Sequence, residues 1–147
     1  MVHRGNDARS RGDSAAIIAQ PTCYLKELKD SGQKAGDTSA TTVHTRNFDS
    51  VLEGDCSFLT VGSLTSDATF LSNNRYSDFT LVKGSYLVEG LVPSYRTENS
   101  QAFLYNSTDS TYDIDGISVY NFATDAQAVP LPLEGRVDIT SSKTFGS

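Results

Sequence analysis

The residues of this chain that could do chemistry are few and scattered. Ser14 follows Gly12 and Asp13, a context seen around some hydrolase serines, but a nucleophile needs a base within hydrogen-bond reach and a rigid turn to present it. Here the serine sits in a polar leader that supplies neither. The chain has two histidines, His3 in the same leader and His44. His44 stands beside Val43 and ahead of Arg46 and reads as an exposed strand residue. Asp113-Ile114-Asp115-Gly116 has the spacing of the middle of a calcium loop, where alternate oxygens and a sharp glycine turn wrap the ion. Thr111 occupies the place of the first carboxylate, and Phe122 that of the bidentate glutamate. A hairpin turn at Asp115-Gly116 accounts for the segment better. No pair among the 18 Asp and Glu residues is singled out as an acid and base couple. The sequence therefore assigns no catalytic residue, cofactor-binding residue or metal ligand, and it does not read as an enzyme.

Binding motifs are slightly richer. Arg11-Gly12-Asp13-Ser14 contains a cell-adhesion tripeptide, which chance explains in a segment rich in these residues. Asn106-Ser107-Thr108 is a glycosylation sequon, meaningful only in a protein secreted by a eukaryote. Arg4, Arg9 and Arg11 could touch phosphate loosely, but the acidic remainder would repel it, so nucleic acid is not an expected partner. Cys23 and Cys56 read as free, partly buried thiols, because free cysteine packs as a small hydrophobe. That reading makes the chain a product of the cytoplasm with no redox function. Seven tyrosines and no tryptophan complete the inventory. A strand tyrosine can bury its ring and keep its hydroxyl wet, which suits oligomer interfaces and ligand faces as well as ordinary packing.

The elements that must position these residues are bounded by composition. A chain of 147 residues suits one domain. No apolar run approaches the roughly 20 residues that cross a bilayer, and the first 20 lack the apolar core of a secretory signal. Charge is unevenly placed: residues 1–46 hold seven Lys or Arg against five Asp or Glu, and residues 47–147 hold five against thirteen. A weakly basic leader on an acidic body has the form of a docking arm, or of a terminus kept polar for solvation. Residues 1–16 have no apolar period and cannot offset their ordering entropy alone. The reading divides the chain into a polar arm over residues 1–22, with Ile17 and Ile18 as its apolar anchors, and a folded domain over residues 23–147.

Within that domain no helix-period stripe occurs. Thr22 to Leu28 reads as a strand or a helical turn, and residues 30–42 as a loop. Strands are expected near 43–48, 57–61, 67–71, 78–82, 85–92, 101–106, 117–122, 127–133 and 136–140, with turns at Asn73-Asn74, Lys83-Gly84, Pro93-Ser94 and Asp115-Gly116. Over residues 85–92 the period is two: Tyr86, Val88, Gly90 and Val92 point to one face, and Leu87, Glu89 and Leu91 to the other. Many short strands between turns predict an all-β sandwich or barrel.

Several segments carry a resemblance. Cys23-Tyr24-Leu25-Lys26-Glu27 with the Gly32/Gly36 loop, Thr45-Arg46-Asn47-Phe48-Asp49-Ser50-Val51, Phe79-x-Leu81 with Gly84-x-Tyr86, Pro93-x-Tyr95, Ala102-x-Leu104-Tyr105-Asn106 and Ser142-Lys143-Thr144-Phe145 resemble the small jelly-roll structural proteins of tailed bacteriophages. Their architecture is similar to that of tumour-necrosis-factor-like trimers. Ser142 to Phe145 corresponds to the turn into the family's last strand. The resemblance implies a jelly-roll-like antiparallel β-sandwich with an extended N-terminal arm, assembled as a homotrimer. It implies a capsid decoration protein on the virion exterior, bound to the major capsid protein or another virion protein, without cofactor or membrane. The alternative is a tail-fibre tip that recognises a host glycan or surface protein. Arg4, Arg9, Arg11, Ile17 and Ile18 would then contact the partner, and Tyr86, Tyr95 and Tyr105 would face the trimer interface.

Overall fold

A computed structural model describes residues 20–27, 43–48, 52–62, 64–66, 74–95, 99–120 and 128–146. The arm residues Arg4, Arg9, Arg11, Ile17 and Ile18, the loop over 30–42 and the expected strand at 67–71 lie outside them. Every regular element among the described residues is a β-strand, and every pairing between strands is antiparallel. The fold is an all-β sandwich.

Its spine is one antiparallel ribbon folded over at a corner. β6 (Asp78–Leu81) runs through Val82-Lys83 into β7 (Gly84–Tyr95), and β12 (Ala128–Ile139) runs through 140–142 into β13 (Lys143–Gly146). β7 pairs with β12 along all 12 residues, from Gly84 opposite Ile139 to Tyr95 opposite Ala128. Beyond the corner β6 pairs with β13, Leu81 opposite Lys143 and Phe79 opposite Phe145. The connection is one residue longer on the β12–β13 side, which is the bulge that lets paired strands turn a corner between sheets.

On the far side of the corner β13 and β6 are the middle of a five-stranded sheet. Its order is β10 (Thr111–Asp115), β9 (Phe103–Asn106), β13, β6 and β3 (Leu59–Val61). The inner faces meet in a core of Leu81, Ala102, Leu104, Ile114, Leu131, Leu133, Val137, Ile139 and Phe145. Phe145 is fully buried, its ring stacked 5.7 Å from that of Phe79. The period-two expectation for β7 matches the burial: Tyr86, Val88 and Val92 pack on this core, while Leu87 and Leu91 remain 70% and 72% exposed. β10 approaches β12 so closely that side chains are excluded. A Cβ at Gly135 would lie 2.8 Å from Cγ2 of Ile114, and one at Gly116 only 2.5 Å from the carbonyl oxygen of Pro132.

Several expectations are corrected. Pro93-Ser94 is no turn, because β7 continues to Tyr95 with Pro93 opposite Pro130. The Pro93 carbonyl accepts a hydrogen bond from Arg46 Nη2 at 2.7 Å, so its backbone polar groups point away from β12. Opposed residues of that parity exchange no ladder bonds, and the missing N–H of Pro93, Pro130 and Pro132 costs the ribbon nothing. The expected strands at 127–133 and 136–140 are one strand, since Gly135 is carried within β12 by its contact with Ile114. Ser142 to Phe145 is not a turn into a further strand: β13 occupies its last three residues and lies at the sheet centre. The segment 43–48 forms no strand beyond a single bridge, Phe48 to Tyr76. Of the stretch 117–122, the described residues 117–120 contribute β11 (Val119–Tyr120), paired with β8 (Asn99–Ser100).

The cysteines are not free thiols. β1 (Cys23–Leu25) pairs with β2 (Leu52–Gly54), placing Cys23 opposite Gly54, and Cys56 follows two residues later. The Cα atoms of Cys23 and Cys56 are 4.8 Å apart and the sulfurs are bonded. Such bonds persist in oxidising surroundings. The Lys26–Glu53 ion pair crosses the same strands. β4 (Leu64–Ser66) and β5 (Asn74–Tyr76) form a further pair, with Asn74 opposite Ser66.

Candidate functional site

The hairpin of β9 and β10 carries the most exposed aromatic cluster. Alternation along β9 sends Leu104 and Asn106 inward, and Phe103 and Tyr105 outward. Tyr112 lies opposite Tyr105, and Ile114 opposite Leu104. Two residues of β10 thus span one step of β9, a bulge at Asp113. Without it Tyr112 and Ile114 would share a face. With it Ile114 enters the core and Tyr112 joins the outer rings, 5.2 Å from Phe103 and 5.2 Å from Tyr105. Tyr112 is 53% exposed.

A polar network fixes this hairpin. The turn is Ser107 to Ser110, and Ser110 has φ of 59°, a left-handed conformation uncommon outside glycine. Asn106, 3% exposed, is the hub. Its Nδ2 donates to Asp109 at 3.0 Å and to Asp113 at 2.9 Å, and its Oδ1 accepts from the backbone N–H of Asp109. Thr111 donates to the other oxygen of Asp113, and Lys143 of β13 donates to Asp109. Lys143 holds the Asp109 carboxyl below its ordinary pKa, against a smaller opposing effect of desolvation and with help from Asn106. The expected turn at Asp115-Gly116 is therefore displaced to 107–110. Asp113 serves as a bulge residue, and Gly116 donates its N–H to the Ala102 carbonyl. Asn106 of the sequon is buried and its amide is fully engaged.

Beside these rings a groove of about 780 Å³ runs between the 43–48 segment and the strands β8 and β9, next to Gly146. The segment is anchored through its C-terminal half. Phe48 exchanges backbone hydrogen bonds with Tyr76 at 3.0 and 2.8 Å and packs its ring on Tyr76 and Phe79. Arg46 reaches across to Pro93. On the opposite wall Gln101 donates to the Gly116 carbonyl at 2.7 Å and accepts from Ser118, so its amide ties the loop to the hairpin. His44 is exposed and lines the groove. Among the described residues no three His, Cys, Asp or Glu side chains gather as metal ligands.

The three expected interface tyrosines lie on two strands, Tyr86 and Tyr95 on β7 and Tyr105 on β9. Tyr86 is on the inner face of the ribbon, its ring 5.5 Å from Phe58 and its hydroxyl donating to the Val82 carbonyl at 2.8 Å; desolvation raises its pKa. Tyr95 ends β7 opposite Ala128. Tyr105 belongs to the outer ring cluster. Sequence reading missed Phe103 and Tyr112 as partners of Tyr105, since β10 was not expected and a bulge leaves no period-two signature. Comparison with known protein families, curated proteins and solved structures finds no match.

Proposed function

We propose that this protein is a structural component of a tailed-phage particle, a homotrimeric jelly-roll decoration protein mounted on the head shell. The observation that carries the reading is the outer face of the β7–β12 ribbon. Leu87 and Leu91 project from it into solvent, with Pro93, Pro130 and Pro132 alongside. A flat apolar stripe on a rigid strand pair is an interface feature rather than a solvent-facing one. The same face holds Glu89 directly opposite Glu134, and Arg136 opposite Leu87. Arg136 and Glu89 lie at different positions on this face, so around a threefold axis Arg136 of one copy can meet Glu89 of the next, a heterologous contact that closes into a ring. The folded-over ribbon agrees with the jelly-roll resemblance. The Cys23–Cys56 bond suits a protein that works outside the reducing cytoplasm.

Quantitative mass spectrometry of purified virions tests the assignment. Abundance near that of the major shell protein is the expected result. A few copies per particle would move the protein to the tail, where the aromatic groove favours a receptor-binding tip, and absence from virions would overturn the reading.

A further inference from the structure

We propose that the N-terminal segment of this chain from Ser14 to Ala19 docks on the outer edge of its own β7, as a third, antiparallel strand of the ribbon. That segment lies outside the described residues, and the proposal rests on the ribbon edge rather than on the virion role. Its first support is the hydrogen bonding of β7. Pro93 turns its carbonyl away from β12, and the register to β12 is continuous from Gly84 to Tyr95. Ser85, Leu87, Glu89 and Leu91 have the same parity, so they also aim their N–H and C=O groups away from β12. Among the described residues β7 pairs with β12 alone, and the side chains of these residues are exposed.

Such an edge is a template for a further strand unless it is blunted. The other outer edges of the ribbon and of the five-stranded sheet are blunted. On β12 the corresponding positions hold Pro130 and Pro132, which offer no N–H, and then Glu134, Arg136 and Asp138. β10 is broken by its bulge at Asp113, and β3 is three residues long. From Ser85 to Leu91 the β7 edge carries a single charge, Glu89, and no irregularity in its pairing.

The second support is an asymmetry of burial across the ribbon. The inward residues Leu131, Leu133, Val137 and Ile139 of β12 are buried, whereas Tyr86, Val88 and Val92 of β7 are half-buried. β7 thus marks an uncovered margin of the core. A strand added beside it meets apolar neighbours on both faces, Val88 and Val92 on one and Leu87 and Leu91 on the other. Ala15-Ala16-Ile17-Ile18-Ala19 is the longest apolar run in the first 22 residues, and successive strand residues point to opposite faces. Ile17 and Ile18 therefore supply one β-branched side chain to each face.

The third support is the tether. Gln20 stands three residues before Cys23, which is bonded to Cys56. Two residues further on, Phe58 packs its ring 5.5 Å from that of Tyr86, and its carbonyl accepts the Val82 N–H at 3.2 Å. These links hold Gln20 within about 25 Å of Phe58, at the Gly84 end of a ribbon about 40 Å long. The residues before Gln20 are thereby kept at high local concentration beside the edge. A segment that ends at this tether runs toward the Gly84 end, opposite to β7, which sets the antiparallel sense.

Amide hydrogen exchange of the full chain, read residue by residue by NMR, tests the proposal. The amides of Leu87, Glu89 and Leu91 are expected to exchange slowly in the parent, although β12 gives them no acceptor. The Ile17→Pro/Ile18→Pro variant cannot complete a ladder and is expected to speed them at least about tenfold. Tyr86, Val88 and Gly90, which bond to β12, are expected to stay slow and so report that the variant is folded. Fast exchange at Leu87, Glu89 and Leu91 in the parent would overturn the proposal whatever the variant does. Slow exchange that survives both prolines would place another segment on the edge and overturn it as well. Nitrogen-15-labelled variant chains assembled with an excess of unlabelled parent separate the chain's own segment from a neighbour's. The labelled edge is expected to remain fast, and its recovery would overturn the own-chain assignment. Mass is read separately by light scattering, so a failed trimer leaves the edge result standing and an open edge leaves the trimer standing.

Discussion

The folded ribbon and the β1–β2 pair solve the same problem by different means. β7 and β12 match residue for residue along 12 positions and bury one face against the five-stranded sheet. β1 and β2 are three residues each, and β1 buries little: Cys23 and Leu25 are half-buried and Tyr24 is exposed. Two-stranded pairs of that size are marginal in water. What the ribbon gains from apolar burial, the short pair gains from the bond between Cys23 and Cys56 and from the Lys26–Glu53 contact. The lesson is that the sandwich has a hydrophobically held centre and a covalently held margin, and each should respond to a different perturbation.

The largest effect is expected at the centre. Phe145→Ala empties the fully buried position between β6 and β9, and should cost about 3–5 kcal/mol in urea denaturation. At the margin, replacing both Cys23 and Cys56 by serine opens a loop of sequence separation 33 and should cost about 3–4 kcal/mol. The same loss should follow reduction of the native protein. If the double serine variant melts like the parent, the margin is not held by the bond and the contrast collapses. A smaller loss sharpens the description of the centre. Gly135→Ala forces a methyl group against Ile114 and should cost about 1–3 kcal/mol, the usual result of overpacking.

The smallest effect is acid-dependent and lies in the hairpin. Asp109 has its pKa lowered in the folded state, chiefly by Lys143, so it stabilises the fold above the ordinary carboxylate value. That contribution is lost as pH falls through the depressed folded value, below about pH 4. Asp109→Asn should flatten the decline of melting temperature on the acid side and leave its shape near neutrality unchanged. An identical acid decline in the variant would show that Lys143 and Asp109 are not coupled to folding.

How much of this was legible beforehand follows from the physics of each element. The two faces of β7 could be read because Tyr86, Val88 and Val92 alternate with Leu87, Glu89 and Leu91 without interruption. The all-β class could be read because short runs and turn residues recur with no helical stripe. Pro93 could not be placed, since a proline is tolerated or not according to the parity of its partner, and Pro130 is far away in sequence. Nor could the disulfide, which depends on β1 meeting β2 across a long separation. The aromatic platform was half visible: Tyr105 stood out in Leu104-Tyr105-Asn106, but the extra residue at Asp113 reverses the side on which Tyr112 emerges. That reversal leaves no trace in a period-two reading.

The central claim is that the outward face of the ribbon is covered by another copy of this chain. Light scattering coupled to size exclusion tests it most directly on the parent and on the Leu87→Glu/Leu91→Glu variant. The parent is expected at three times the 15.9 kDa chain mass. The variant is expected at the mass of one chain with its β spectrum intact, because both leucines are exposed within a single copy and their replacement leaves the core untouched. A monomeric parent, or a trimer indifferent to both glutamates, would contradict the account.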